Sequence, residues 1–362
     1  MSVTSTKTGS ILDNRASLAK LDLSNVLGSI EALADQVRQA WDSIKNLEFA
    51  PKNPIKNVVV SGMGGSALGA DVAKHLFKDR LTVPLEVFNS YHLPNYADSN
   101  TLVVLSSYSG STEEVLSCAQ EAKKVGAQIM FICAGGKLAE IAQENNWPGY
   151  IINPEFNPSN QPRMAIGYAI VGLLGLLSKA GVFDLSQAEI EEVILSITKV
   201  DEGVNIDVPQ EDNLSKLIAF QCLERRPIFV ASDFLAGAAH VATNQFNENA
   251  KIFADYKIIP ELNHHLMEGL KFPKSNSLNH LFILITSDLY EPRIAKRMTL
   301  TQEIVGQNEI ETYELRLKAE TKLTQAFELI TIMAYANFYL SMLENINPAP
   351  IPYVDWFKTQ LE

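Results

Sequence analysis

The sequence predicts an α/β protein with two domains, each built on a mainly parallel sheet that is flanked by helices in three α/β/α layers. Two observations support this class. Short apolar runs of strand length alternate with stretches of helical periodicity, and this alternation occurs on both sides of a polar segment at residues 199–213. Alternating strands and helices form parallel sheets, because each connection crosses a face of the sheet. A chain of 362 residues also has room for about two domains.

The first half of the chain carries most of the predicted strands. We expect strands at residues 58–61, 85–88, 102–106, 129–133 and 150–152. Helical spacing predicts helices at residues 21–41, 67–76, 115–125 and 138–145. The apolar run at residues 164–177 is 14 residues long, too short for a membrane span of roughly 20 residues, and predicts a buried helix. Residues 1–15 are polar and are expected to lack regular structure and to contain no signal peptide.

The second half repeats the order of elements without a visible residue-level repeat. Strands are predicted at residues 227–231 and 281–286, while residues 252–259 form another apolar run and residues 309–316 have an alternating pattern. Helices are predicted at residues 237–247, 294–305 and 323–343, the last being long and apolar enough to lie at the centre of the protein. We therefore predict an N-terminal segment at residues 1–45, a first domain at 46–200, a linker at 201–213 and a second domain at 214–362.

The composition limits the kinds of molecule that the protein is expected to bind and indicates its cellular compartment. The formal net charge of −12 argues against a nucleic acid partner, because phosphate backbones are bound by clustered Lys and Arg. No segment predicts a membrane span. The three cysteines, Cys118, Cys133 and Cys222, have no metal-binding or redox spacing, which is typical of reduced thiols in a cytoplasmic protein. The histidines show no ligand spacing beyond one adjacent pair, so no metal is expected.

A serine-rich loop at residues 107–114 (SYSGSTEE) is the most informative segment. It lies between a predicted strand and a predicted helix, where free backbone N–H groups and the helix dipole favour an anion. The loop contains no Lys or Arg, so a phosphate would be held by neutral donors. A plain N-cap followed by acids in the first helical turn explains the same residues equally well.

A glycine turn at residues 61–67 (SGMGGSA) follows the first strand. It lacks the acid that follows a dinucleotide-binding glycine motif, and it lacks the Gly-Lys-Ser/Thr end of a P-loop. Glycines here would let the backbone approach a ligand closely. A weak dinucleotide site and a tight structural turn both remain open.

Taken together, these segments resemble a known family. The glycine turn and the serine loop, about 40 residues apart, resemble the sugar isomerase (SIS) domain. Four later segments resemble the bifunctional phosphoglucose/phosphomannose isomerases: residues 162–163 (PR), 247–251 (NENAK), 261–264 (ELNH) and 350–358 (PIPYVDWFK). The resemblance covers residues 45–362 in the family's order. It implies two SIS domains, a homodimer, a sugar phosphate substrate and no cofactor.

The resemblance also implies roles for individual residues. Substrate phosphate would be bound by Gly65, Ser66, Ser107, Ser109 and Thr112. Glu248 would move a proton between C2 and C1 through a cis-enediol, with Arg163 stabilising the developing negative charge. His264, supplied by the other subunit, and Lys358 would assist ring opening.

Each catalytic candidate has a simpler structural explanation. Glu248 and Lys358 could be solvated helix charges, and Arg163 could form a structural salt bridge. For His264 the alternative is a surface loop histidine, with His265 as a competing candidate. Glu261 is expected to be a supporting acid rather than a catalyst.

One departure from the family pattern concerns residues 347–351 (NPAPI), which contain no Ser or Thr where the family often has a small hydroxyl residue. This weakens the expectation of activity on mannose 6-phosphate more than that of activity on glucose 6-phosphate. Two alternatives remain: a non-catalytic SIS protein that senses a sugar phosphate, and a nucleotide-dependent α/β enzyme. A sensor would need only the phosphate loops and not the Glu, Arg, His and Lys set.

Overall fold

The computed structural model describes residues 11–361 and begins with short helices. A 3₁₀ turn at Ile11–Asp13 precedes α1 (Arg15–Leu18), α2 (Val26–Glu31) and α3 (Leu33–Ile44). The single helix predicted at residues 21–41 is therefore wrong, because the chain turns at Asn25, whose side chain caps α2. The expectation of no regular structure is also wrong within residues 11–15, while residues 1–10 lie outside the described part of the chain.

The first sheet has five parallel strands in the order β2-β1-β3-β4-β5. Its elements, in chain order, are β1 (Asn57–Gly62), α4 (Gly65–Leu76), β2 (Leu85–Phe88), β3 (Thr101–Ser106), α5 (Glu113–Val125), β4 (Gln128–Cys133), α6 (Gly136–Glu144) and β5 (Gly149–Ile151). The five predicted strands are confirmed to within one residue at each end.

Both faces of this sheet are covered, as the prediction of three layers requires. Val58 and Val60 of β1 face the large core shared with the rest of the protein, and Val59 faces a separate cluster formed with α5 and α6. This alternation follows from the two-residue period of a strand. Sheets with two buried faces have nearly continuous apolar strands, which explains why β3 and β4 are buried throughout.

Two helices connect the sheets, α7 (Ile166–Lys179) and α8 (Gln187–Val204). The first confirms the buried helix predicted at residues 164–177 and packs against α3 and α4. The second continues four residues into the segment predicted as a linker, ending at Val204. The proposed division of the chain into domains at residues 201–213 stays a prediction.

The second sheet has four parallel strands in the order β7-β6-β8-β9. The remaining elements are α9 (Leu214–Cys222), β6 (Arg226–Ser232), α10 (Ala236–Glu248), β7 (Asp255–Ile259), α11 (Asn276–Asn279), β8 (His280–Thr286), α12 (Pro292–Gln307), β9 (Glu311–Arg316), α13 (Lys322–Leu343) and α14 (Pro352–Leu361).

Helix α13 occupies the centre of the molecule, as its apolar sequence predicts. It packs against α8, α9 and α10, and its residues from Leu323 to Met342 are buried. One helix among the described residues is long and apolar enough to cross a membrane, and it is this one, with 94% of its apolar window buried inside the protein. Such burial is typical of a core helix.

The two halves meet where α4 of the first packs against α10 of the second. Gly237 lies at the crossing, and a Cβ atom there would be 2.5 Å from Val72 Cα and 2.6 Å from Asp71 O. His240, one turn further along α10, pairs with Asp71 across the same contact at 2.9 Å. The absence of a side chain at Gly237 therefore sets the separation of the two helices.

Replacing Gly237 with Ala should destabilise the protein by about 2 kcal/mol, because the new methyl group would push α10 away from the backbone of α4. The matched control is Gly203→Ala in α8, where a Cβ would meet nothing within 4 Å. The control should gain up to about 1 kcal/mol from the better helix propensity of Ala. Equilibrium urea unfolding measures both, and equal stability of the two variants would contradict the prediction.

Candidate active site

The glycine turn and the serine loop lie side by side at the carboxyl end of the first sheet. Gly62 at the end of β1 is in register with Ser106 at the end of β3. Ser106 Oγ donates to Ser66 O at 2.7 Å, and Tyr108 N donates to Ser66 Oγ at 2.9 Å. The two segments therefore form one surface, at the position where parallel α/β sheets bind ligands.

Several hydroxyl groups of this surface have a hydrogen that is not donated to any acceptor in the described part of the chain. Ser66 Oγ and Ser109 Oγ act as acceptors, the latter from Ser111 Oγ at 3.1 Å. Ser107 Oγ and Thr112 Oγ1 are 2.7 Å apart, so one of them donates to the other. Because each hydroxyl has one hydrogen, three O–H groups have no acceptor among residues 11–361. An anion is the natural acceptor for such a set.

Two helix N-termini add backbone donors at the same place. Helix α4 begins after Gly64, which has no side chain to cap it, and α5 begins after Thr112, whose side chain makes no capping bond to α5 among the described residues. The Thr112 hydroxyl bonds to Ser107 instead, so the simple N-cap explanation of the serine loop is wrong for Thr112. In the first turn of α4, Ser66 N and Ala67 N donate to backbone carbonyls, so the Gly65 N–H, the first turn of α5 and the two helix dipoles are what an anion would meet.

A buried arginine lies directly against the glycine turn. A Cβ atom on Gly65 would be 3.0 Å from Arg163 N, so only glycine allows this approach. The Arg163 side chain is 1% exposed. It begins in the 3₁₀ turn Pro162–Met164, between β5 and α7. The predicted anion surface and the predicted catalytic arginine are therefore adjacent.

Every N–H group of the Arg163 guanidinium has a protein acceptor. Nε donates to Asn249 Oδ1, and Nη2 donates to the carbonyl oxygens of Pro348 and Ala349 at 2.9 and 2.7 Å. Nη1 donates to Gln161 Oε1 at 2.9 Å and to Glu248 Oε2 at 3.3 Å. The charge is thus held in one orientation, and its longest bond is the one to the Glu248 carboxylate.

Polar side chains of α10 and α13 support Arg163 and its partner Asn249 through further hydrogen bonds. Gln245 Nε2 of α10 donates to Arg163 O at 3.0 Å. Asn249 Nδ2 donates to Asn337 Oδ1 of α13 at 2.8 Å, and both of these asparagines are fully buried. The sequence analysis missed these residues. The available signal was Asn337, an amide within the apolar second half of α13, because a buried amide needs a hydrogen-bond partner.

Glu248 is the last residue of α10 and its side chain is 29% exposed. Burial raises the pKa of its carboxyl group above the ordinary value of 4.5. The positive charges of Arg163, Lys251 and Lys358 oppose this shift but do not cancel it. A carboxylate with a raised pKa in a partly enclosed position has the properties of a general base.

Two lysines contribute to the same electrostatic environment. Lys358 lies in the last turn of the exposed helix α14, and its charge acts on Glu248. Lys251 follows α10, and burial together with the charge of Arg163 lowers its pKa to about 8. The resemblance assigned a role to Lys358 and included Lys251 only within the segment at residues 247–251, so the structure adds the second lysine.

His264 is the one predicted catalytic residue that does not join the group formed by Arg163, Glu248 and Lys358. It is exposed at the end of the 3₁₀ turn Glu261–His264. Among the described residues, no hydrogen bond or ion pair joins it to Arg163, Glu248 or Lys358. The adjacent His265 pairs with Glu261, with Nδ1 2.9 Å from Oε2, so these two residues form a local contact of their own.

Within residues 11–361, no group of three or more His, Cys, Asp or Glu side chains has an arrangement that could hold a metal ion. The assembled groups are instead hydroxyl donors, a guanidinium, a carboxylate and two amines. They can bind an anion at one end of a ligand and transfer a proton at the other. The absence of a cofactor stays a prediction.

Comparison with known proteins agrees with this arrangement. The SIS domain family matches residues 53–156, and a family described as the bacterial phospho-glucose isomerase C-terminal SIS domain matches residues 211–361. The first sheet lies inside the first match and the second sheet inside the second. The prediction of two SIS domains with parallel sheets is confirmed.

Relatives cover nearly the whole chain. A bifunctional phosphoglucose/phosphomannose isomerase of Caldicellulosiruptor bescii is 33% identical over 345 residues, covering 92% of this chain and 98% of that protein. An enzyme of the same name from Thermoplasma acidophilum is 28% identical over 334 residues, covering 92% and 96%. The crystal structure of a hypothetical protein from Thermus thermophilus superposes with a TM-score of 0.74 at 17% identity, covering 97% of this chain and 92% of that one.

Replacing Arg163 with Lys should lower the free energy of unfolding by about 2–4 kcal/mol. The ammonium has three donors against five, so at least two buried acceptors lose their partner. The control is Arg38→Lys, an exposed arginine paired with Asp35 on the surface of α3, which should change stability by less than about 0.5 kcal/mol. Urea unfolding compares them, and a stability loss no larger than that of the control would contradict the prediction.

Proposed function

The chain belongs to the bifunctional phosphoglucose/phosphomannose isomerase family and is an isomerase, and we propose that it interconverts glucose 6-phosphate and mannose 6-phosphate with fructose 6-phosphate. The proton moves between C2 and C1 of the open-chain sugar through a cis-enediol. The observation that carries the proposal is the contact between Glu248 and Arg163, with Arg163 packed against Gly65 of the anion surface.

The sugar phosphate group occupies the surface formed by the glycine turn and the serine loop. The free hydroxyl hydrogens at Ser66, Ser109 and the Ser107–Thr112 pair, with the backbone at Gly65, supply neutral donors. The phosphate then marks one end of the substrate. Its C1 and C2 atoms lie towards Arg163 and Glu248.

Glu248 acts as the base in this proposal. Its carboxylate removes the C2 proton of the aldose, giving an enediolate. The hydroxyl proton passes from O2 to O1, and the resulting carboxylic acid returns the first proton to C1, which leaves a carbonyl group at C2. The raised pKa of Glu248 supports this role, because a base works best when its pKa approaches the working pH. The carboxylate is also accessible, since the side chain is 29% exposed.

Arg163 stabilises the negative charge of the enediolate without having to move. Its other N–H groups are held by Asn249, Gln161, Pro348 and Ala349, so the charge is preorganised. Fixed charges lower a barrier because they need no reorganisation when the reaction occurs. The longer bond at 3.3 Å to Glu248 is the one that a developing oxyanion could take over.

Ring opening is assigned to Lys358 and to His264 of a second subunit in a homodimer. Two features support a dimer. His264 is exposed and separate from the site of its own chain, and α14, which carries Lys358, exposes aromatic side chains, with Tyr353 at 89% and Trp356 at 64%. Exposed aromatic residues in such density are typical of a surface that another protein covers.

The test of the base is Glu248→Gln, assayed for conversion of glucose 6-phosphate and mannose 6-phosphate to fructose 6-phosphate. Turnover should fall by about 10²–10⁴ because the amide cannot accept the proton. Binding of fructose 6-phosphate, measured by calorimetry, should remain. The control Glu202→Gln changes an exposed acid on α8 and should keep wild-type turnover.

Two results would overturn the proposal. Wild-type-like turnover by Glu248→Gln would remove Glu248 as the base. Binding of fructose 6-phosphate by a wild-type protein that turns over neither aldose would favour the sugar-phosphate sensor. The assay with mannose 6-phosphate also shows whether activity on this epimer requires a hydroxyl side chain at residues 347–351. This segment has none and contributes backbone carbonyl groups that accept from Arg163.

The proposal that His264 acts in the active site of the other subunit is tested separately, with mixed dimers of Glu248→Gln and His264→Asn subunits. Each variant alone should be inactive. If His264 acts on the partner's sugar, one of the two sites in a purified mixed dimer has both residues, and about half of the wild-type activity returns. If His264 acts within its own chain, mixing restores nothing. If His264 has no role, the His264→Asn variant alone keeps its turnover.

A further inference from the structure

Lys251 lies where three parts of the site meet. Its Nζ atom donates to Glu248 O, at the end of α10, at 2.6 Å. It also donates to Pro348 O, in the segment before α14, at 2.8 Å. The same Pro348 oxygen accepts a bond from Arg163 Nη2 at 2.9 Å. One carbonyl group thus accepts hydrogen bonds from two of the cations of the site.

The backbone of Lys251 also departs from the usual conformation of a side-chain-bearing residue. Its φ angle is +56°, in the left-handed region that L-residues seldom adopt. Local strain of this kind persists when the surroundings require it, and it is common at functional sites. Here the conformation turns the chain back after α10 so that the side chain can reach the backbone of Glu248 and Pro348.

We propose that Lys251 is a positioning residue of the isomerisation: its ammonium group ties the end of α10 to the segment before α14 and thereby sets the place and the charge environment of Glu248. This inference rests on the proposed role of Glu248 as the base. It adds to that role, since Lys251 acts through Glu248 and does not transfer the substrate proton itself.

The charged groups that act on Glu248 and Lys251 come from three parts of the chain. Arg163 from the turn at Pro162–Met164 and Lys358 from α14 act on Glu248 together with Lys251. Lys251 in turn is affected by Arg163 and Glu248, and Asp355 of α14 acts on Arg163. With its pKa lowered to about 8, Lys251 is protonated in acidic solution, where its positive charge acts on Glu248.

The positive charge of Lys251 determines the sign of the expected effect. A protonated Lys251 favours the carboxylate form of Glu248, so removing the charge must raise the pKa of Glu248. The acidic limb of kcat/KM then moves to higher pH. A lysine that only capped the C-terminus of α10 would affect stability but would leave this limb unchanged.

The experiment compares Lys251→Met, Lys251→Arg and wild type in the same isomerase assay across pH. Lys251→Met should lower kcat by at least about tenfold, because small misplacements of a catalytic group have effects of this size. Its acidic limb should also shift upward. Lys251→Arg keeps the charge and should keep the limb at the wild-type pH. The control Lys199→Met removes an exposed charge from α8 and should change neither quantity.

Should Lys251→Met fail to fold, Lys251→Gln replaces it, since Gln retains N–H donors without the charge and predicts the same upward shift. A folded, charge-free variant with the wild-type acidic limb overturns the inference, whatever happens to its thermal unfolding midpoint. That result is distinguishable from failure of the proposed function, which would appear as an active Glu248→Gln variant or an inactive wild type.

Discussion

The buried guanidinium of Arg163 is the interaction on which the arrangement of the site depends. A fully buried charge is tolerated only when its hydrogen-bonding groups are satisfied. Its acceptors come from its own turn, from the end of α10 and from the segment before α14. Satisfying one side chain therefore requires both halves of the protein and the C-terminal segment to meet at one point, and Glu248 ends α10 at that point.

The two sheets contribute differently to the site although they have the same architecture. At the carboxyl end of the first sheet the loops are rich in Gly and Ser, and hydroxyl hydrogens remain free. At the corresponding end of the second sheet, Asp233 follows β6 and Asp288 follows β8, and these acids pair with Lys78 and Arg316. Anion binding is thus supported at the first sheet, while α10, which follows β6, supplies Glu248.

Much of the local structure could be predicted because it depends on local pattern. The strands of the first sheet are short apolar runs between helical stretches, and their limits were predicted to within one residue. The division of residues 21–41 was missed, because it depends on the left-handed conformation of Asn25 before α2 and on the turn at Ala32 between α2 and α3, not on apolar spacing. The serine loop was identified as a donor-rich turn, but the bond between Ser107 and Thr112 that leaves α5 uncapped was not foreseeable.

The sequence by itself determined the fold class, the two loops with neutral donors and, through resemblance, the identities of Glu248 and Arg163. These features depend on the types of residue and on their order along the chain. Only the tertiary structure decided how Arg163 is held, which acid it contacts and that Lys251 belongs to the same group. The contacts of Arg163 with Glu248 and with Ala349 join residues 85 and 186 positions apart. Charge satisfaction in a buried space depends on where distant segments meet, which periodicity does not encode.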